Sequence, residues 1–177
     1  MPEVAATIKM ATMNPGERHP PSIRIRWVEP CDLPVIFEFQ SDPESNAMAG
    51  TKPRTREAFF SVWEQHLANP EINARVIEVD GANGSEVVGN IACFQADGQD
   101  CVGYWIVRSH WGKGYASRAR ELFLAEEPRR PLHASADRSN ARSHRILEKC
   151  GFRCTGFHLG EETDRFLARE VAEFVLE

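Results

Sequence analysis

The stretch that most constrains this 177-residue chain is GYWIVRSHWGKGYASRARELFL, residues 103–124. An apolar, strand-like run enters Gly112-Lys113-Gly114, and at Tyr115 the pattern changes to the helical spacing of Ala116, Ala119 and Phe123. Glycines let a backbone bend tightly and approach a ligand closely, exposing successive N–H groups. The helix that follows adds its unsatisfied amides and the positive end of its dipole. The segment therefore reads as an anion cradle of a size that suits a diphosphate. Lys113 adds a cation at the loop, whereas a solvated helix face accounts for Arg118 and Arg120 equally well.

Three other phosphate-binding loops fail on spacing. A Walker A loop needs Ser or Thr directly after Gly-Lys, but Gly112-Lys113 is followed by Gly114, and no glycine stands five residues before Gly112. A dinucleotide fingerprint needs a third glycine where Ser117 stands and a parallel βαβ unit before it. The kinase loop lacks its third glycine and its downstream catalytic motifs.

The flanking pattern is that of an α/β domain. Ile23, Ile25 and Trp27 alternate as a first strand, Asp32 is placed to cap a short helix starting near Pro34, and Thr55 caps a helix bearing Phe59, Phe60, Trp63 and Leu67, an aromatic stripe expected in the core. Runs at 74–79, 87–94 and 101–107, separated by DGANGSE and ADGQD, predict an antiparallel meander. A helix, a strand at 132–136 and a helix ended by Gly151 follow, then strands near 153–159 and 171–176, the last of which fits helical spacing nearly as well. Residues 1–21 are expected to be a flexible N-terminal extension, and residues 22–177 a single domain. The segment SDPESNAMAGTKPRTREAF and the loop after Gly160 are polar and carry no decodable motif.

Composition narrows the partners. With 21 Lys and Arg against 26 Asp and Glu the net charge is -5, so no basic field draws the chain to nucleic acid or an anionic membrane. No apolar run is long enough to span a bilayer, and no signal-peptide pattern is present, so a soluble, cytoplasmic protein is expected. Five cysteines without a CxxC pair read as reduced thiols. Cys150, Cys154 and His158 are regularly spaced but straddle a helix end and a strand without an obvious fourth ligand, so no metal is expected.

Trp111-Gly112-Lys113-Gly114-Tyr115-Ala116 resembles the acyl-CoA-binding motif of the GNAT superfamily of N-acetyltransferases, (Gln or Arg)-x-x-Gly-x-(Gly or Ala), with Trp111 replacing the Gln or Arg. Together with GYWIV before it and NARSHRILEKCGF after it, the segment is similar to the ribosomal-protein acetyltransferase branch. The resemblance runs from Ser22 to the C-terminus and is strongest from Val102 to Phe152. It implies a mixed, mainly antiparallel central sheet with flanking helices and a splayed central strand pair. Acetyl-CoA would be the acyl donor and CoA the product. Trp105, Ile106 and Val107 match the strand that binds pantetheine and the thioester carbonyl, whose oxyanion a backbone N–H can stabilise. Trp111, Gly112, Lys113, Gly114, Tyr115, Ala116 and Ser117 match the cradle. Asn140, Ser143 and Arg145 match the cofactor-facing start of the next helix, where Asn140 is also placed to act as a cap.

The same resemblance leaves acid–base chemistry open. Where many members carry an acidic Tyr this chain has Leu147, and where they carry a basic Glu it has Cys101 or Ser135. The ribosomal-protein branch implies Ser143 and Glu162 instead. His133, on the polar face of LHASAD, has a suitable intrinsic pKa, although a lone strand histidine is more often structural. The expected acceptor is an amine-bearing peptide or small molecule. An α-amine of pKa near 8 is about one-tenth neutral at pH 7, a lysine only about one part in a few thousand. A non-catalytic acyl-CoA-binding regulatory domain is the alternative reading. The oligomeric state stays open, a homodimer being the commonest assembly.

Overall fold

The computed structural model describes residues 22–81 and 84–177, so the proposed extension at 1–21 lies outside the described residues. One seven-stranded sheet takes its strands in the order β1-β2-β3-β4-β5-β7-β6. They are β1 (Ile23–Trp27), β2 (Asn73–Gly81), β3 (Gly84–Ala96), β4 (Gln99–Ile106), β5 (Leu132–Asp137), β6 (Arg153–Leu159) and β7 (Glu170–Leu176). The helices are α1 (Leu33–Gln40), α2 (Pro43–Ala49), α3 (Arg56–Ala68), α4 (Tyr115–Glu126) and α5 (Ala141–Lys149). All strand pairs are antiparallel except β4 with β5. The mixed α/β architecture and the meander β2-β3-β4 are those expected.

The sheet is covered on both faces. One core joins β2–β5 and β7 to α4 and α5 through Ile91, Phe123, Leu132, Leu147 and Phe174, and the other joins α1 and α3 to the sheet through Ile36, Phe59, Trp63 and Val76. The aromatic stripe of α3 thus serves packing. The last segment is a strand, not a helix, because its alternating Ala172 and Phe174 fill the slot between β5 and β6.

Asp32 does stand at the N-cap of α1, but its side chain makes no cap bond. Its carboxylate instead accepts from Arg26 at 2.8 Å twice and from the Glu29 N–H at 2.8 Å, tying β1 to the turn. The polar segment after Ser41 contains α2. Asp42 caps it by accepting from the Ser45 N–H at 2.9 Å, Pro43 occupies its first turn, and Gly50 at φ 66° closes it. Asp-Pro followed seven residues later by Gly was the available signal.

The sheet opens between β4 and β5. These strands pair only at Cys101 and His133. β4 stays in register with β3 along its whole length and β5 with β7 along its own, so the facing edges diverge once each strand follows its other neighbour. The gap lies towards Ile106 and Asp137, the C-terminal ends of both strands.

Candidate active site

The gap widens into a cavity of about 600 Å³. Its walls are β4 from Val102 to Ile106, the glycine loop, the first turns of α4 and α5, β5 from Ala134 to Asp137, and Ser45, Met48 and Ala49 of α2. Of the residues expected to hold the donor, Trp105, Ile106, Trp111, Gly112, Gly114, Tyr115, Ala116, Ser117, Asn140, Ser143 and Arg145 all line it.

The loop has the geometry its glycines require. Gly112 and Gly114 adopt φ 77° and 82°, a left-handed conformation costly for other residues, and Gly114 is the N-cap of α4 without any side chain covering the helix amides. Gly114, Tyr115, Ala116 and Ser117 line the cavity, so the first turn of α4 stands in its wall, where an anion would meet the helix N-terminus. Trp111, which replaces the motif's polar residue, donates its indole N–H to the Ile106 carbonyl at 2.8 Å and carries the Arg142 guanidinium 5.1 Å above its ring. Trp111 therefore fastens the loop to the end of β4, and Arg142 brings a cation to the mouth. Lys113 is exposed at the loop tip and is not among the lining residues.

Strand alternation identifies which backbone groups face the gap. The Val107 N–H donates to the Val88 carbonyl at 2.8 Å, so Val107 and Trp105 turn towards β3, while Tyr104 and Ile106 turn towards the gap. Val107 does not line the cavity, and its N–H is already used. Trp105 faces the opposite layer, donating its indole N–H to the Phe39 carbonyl at 3.0 Å. Unpaired strand groups need partners. The open edge of β4 thus offers N–H and C=O groups to an extended ligand lying where a strand would lie.

At the start of α5, Asn140 accepts from the Ser143 N–H at 3.1 Å, so it caps the helix and lines the cavity at once. The Ser143 hydroxyl lies 3.4 Å from that of Tyr104, which reaches across from β4. Leu147, where a tyrosine was absent, forms part of the wall.

The acid–base candidates separate. Ser143 is in the cavity. His133 lies at the closed end of the gap, opposite Cys101, and does not line it. Glu162 is 63% exposed and accepts from Lys52 at 2.7 Å, a contact that holds its carboxyl below the ordinary range. Among the described residues, no group of three or more His, Cys, Asp or Glu side chains could hold a metal ion. No helix among them is long and apolar enough to cross a membrane.

Tyr104, Arg142 and Asp137, which the sequence did not single out, also stand in the wall, as does Arg120. Asp137 is fully engaged, taking the Ser139 N–H at 2.8 Å and hydroxyl at 2.6 Å on one oxygen and Arg169 at 3.2 Å on the other. His110 sits beside the cradle, its pKa lowered mainly by burial and further by Lys113. Arg118 pairs with Glu121 on the surface at 3.3 Å, as a solvated helix face predicts. Arg120 does not: it is 1% exposed.

The family model described as Acetyltransferase (GNAT) domain matches residues 22–153. Comparison with curated proteins gives no match. Among solved structures, spermidine N-acetyltransferase from Vibrio cholerae in complex with CoA and spermine superposes with TM-score 0.72 at 17% identity, covering 87% of this chain and 94% of that one. A GNAT-family acetyltransferase from Bacillus anthracis gives TM-score 0.70 at 20% identity, with 87% and 93% covered. RimJ of Mycobacterium smegmatis, in complex with CoA-disulfide, gives 0.66 at 20% identity, with 87% and 81% covered. At such identities the likeness is one of fold.

Proposed function

The chain belongs to the acetyltransferase (GNAT) domain family and is an acetyl-CoA-dependent N-acyltransferase; from that premise we propose that its acceptor is a primary amine, either a peptide or protein N-terminus or a small amine, which attacks the thioester directly. The observation that carries this reading is the continuity of one cavity from the glycine cradle of α4 to the open edge of β4.

In this reading Gly112, Gly114 and the first amides of α4 hold the diphosphate, with Arg142 and Lys113 adding charge at the mouth. The gap-facing groups of Tyr104 and Ile106 pair with the amides of pantetheine as a neighbouring strand would. An N–H on that edge is placed to stabilise the oxyanion formed on attack, since it is fixed before the charge develops. Asn140, Ser143 and Arg145 flank the donor from α5. Ser143 stays in the proposed machinery. Glu162 and His133 do not, because neither lines the cavity.

Residues 22–177 are read as one transferase domain. The GYWIV and NARSHRILEKCGF segments, together with the RimJ neighbour, support placement in the ribosomal-protein acetyltransferase branch. The Vibrio cholerae spermidine N-acetyltransferase acts on a polyamine, which widens the panel to be tried. With weak bases in the cavity, an α-amine, already about one-tenth neutral at pH 7, is the easier nucleophile than lysine.

Thiol release from acetyl-CoA at pH 7, measured against α-amine peptides, polyamines and lysine peptides blocked at their N-termini, tests the reading. Turnover with an α-amine or a small amine is expected. Activity confined to lysine would overturn the acceptor class. Binding without thiol release on the whole panel would favour the non-catalytic regulatory reading, for which Leu147 in place of a tyrosine is the supporting observation.

A further inference from the structure

Arg120 occupies a position that its helix reserves for apolar residues. Ala116, Ala119 and Phe123 share that face of α4, and Ala119 and Phe123 are fully buried. Arg120 is buried with them. Its Nε and one terminal nitrogen (Nη1) have no hydrogen-bond partner among the described residues. It makes no ion pair among them either, and burial pushes its pKa down. An unpaired buried cation is expensive unless something compensates it. What surrounds it is aromatic: the Tyr104 ring centroid lies 4.8 Å from the guanidinium and that of Phe152 5.3 Å. Cation–π attraction offsets part of the cost. It does not supply a counter-charge.

Tyr104 meets the cavity from β4. Its hydroxyl makes one contact among the described residues, the 3.4 Å approach to the Ser143 hydroxyl, which is long for an O–H···O bond and leaves both groups with unused capacity. Leu147, on the neighbouring helix, has no proton to give. The groups facing the Tyr104 side chain from the packed elements are Arg120 of α4 and Ser143 of α5, with Cys150 beyond them at the end of α5.

We propose that Tyr104 is the general acid of this enzyme, standing in for the tyrosine absent at position 147, and that Arg120 is a positioning residue that offsets the charge left on Tyr104. The amine nitrogen forms its bond to the acetyl carbon, the carbon–sulfur bond breaks with its electron pair going to sulfur, and Tyr104 delivers its hydroxyl proton to that sulfur. The nitrogen gives up its extra proton to water, and water returns one to the phenolate. The buried cation then has its counter-charge during turnover and lacks it at rest.

This inference rests on the transferase reading, and the experiment separates the two. The chain has only two tyrosines, Tyr104 and Tyr115, so uniform labelling with 3-fluorotyrosine gives two fluorine resonances, and Tyr104→Phe assigns them. Addition of CoA is expected to shift the Tyr104 resonance. Tyr104→Phe is expected to lower kcat about 100-fold, a usual size for loss of a general acid, with acetyl-CoA affinity by calorimetry changed less than about twofold. Because fluorine acidifies phenols, labelling is expected to move the basic limb of the kcat profile to lower pH in wild type and not in Tyr104→Phe. Arg120→Met is expected to lower kcat in wild type and to have little further effect in Tyr104→Phe, a non-additivity that a merely structural arginine would not produce.

Full kcat in Tyr104→Phe, or a labelled limb that moves equally in both proteins, overturns the proposal while leaving the transferase reading intact. A wild type that neither binds acetyl-CoA nor releases thiol overturns the reading beneath it.

Discussion

Glu127, at the C-cap of α4, shows how a single buried carboxylate can make this protein sensitive to acid. Its two oxygens accept from the Arg129 side chain at 2.8 and 2.7 Å, from the Arg129 N–H at 3.1 Å and from Asn73 at 3.0 Å. These bonds, those from Arg129 foremost, hold its pKa at about 2 against an ordinary 4.5. A carboxylate whose folded value is depressed stabilises the fold above its unfolded pKa, and that stabilisation fades as pH falls from about 4.5 towards about 2. The stability difference between wild type and Glu127→Gln, taken from urea midpoints, should therefore shrink between pH 5 and pH 2.5. An equal difference at both would contradict the assignment. Arg120 departs from the solvated helix face that its charge suggests: it lies with Ala116 and Phe123 and is 1% exposed, and the aromatic rings of Tyr104 and Phe152 receive the guanidinium.

At the scale of elements, the position of β4 depends on Gly89. A Cβ there would collide with the Trp105 carbonyl oxygen and come within 2.9 Å of the Ile106 side chain. Gly89→Ala should therefore push β4 out of place, costing about 1–3 kcal/mol of stability and weakening acetyl-CoA binding. Gly156→Ala, whose Cβ meets nothing within 4 Å, is the matched control. If both substitutions leave binding unchanged, the placement of β4 is not what forms the site. The elements themselves were largely legible, because β2, β3, β4, α4 and α5 carry periodic apolar residues and glycine or cap signals. α2 was not, since its burial rests on Ser45 and Asn46 in place of an apolar stripe. The role assigned to Val107 changed for a similar reason. Which edge a strand N–H faces depends on its partner's register, and local sequence does not carry that.

For the whole molecule, the sheet behaves as two blocks, β1–β4 and β5–β7, joined at one residue pair and spread beyond it. The sequence motifs located β4, the loop, α4 and the start of α5. The β5 wall needed the long-range pairing of β5 with β7, and the contribution of α2 came from a segment without a motif. The claim that this opening is the acyl-CoA site is most directly tested by titrating acetyl-CoA calorimetrically into wild type and Gly114→Trp, with circular dichroism confirming that both are folded. Saturable binding by wild type is expected, and none by the folded variant, whose indole would fill the cradle. Equal binding by both, or no binding by wild type, would contradict the claim.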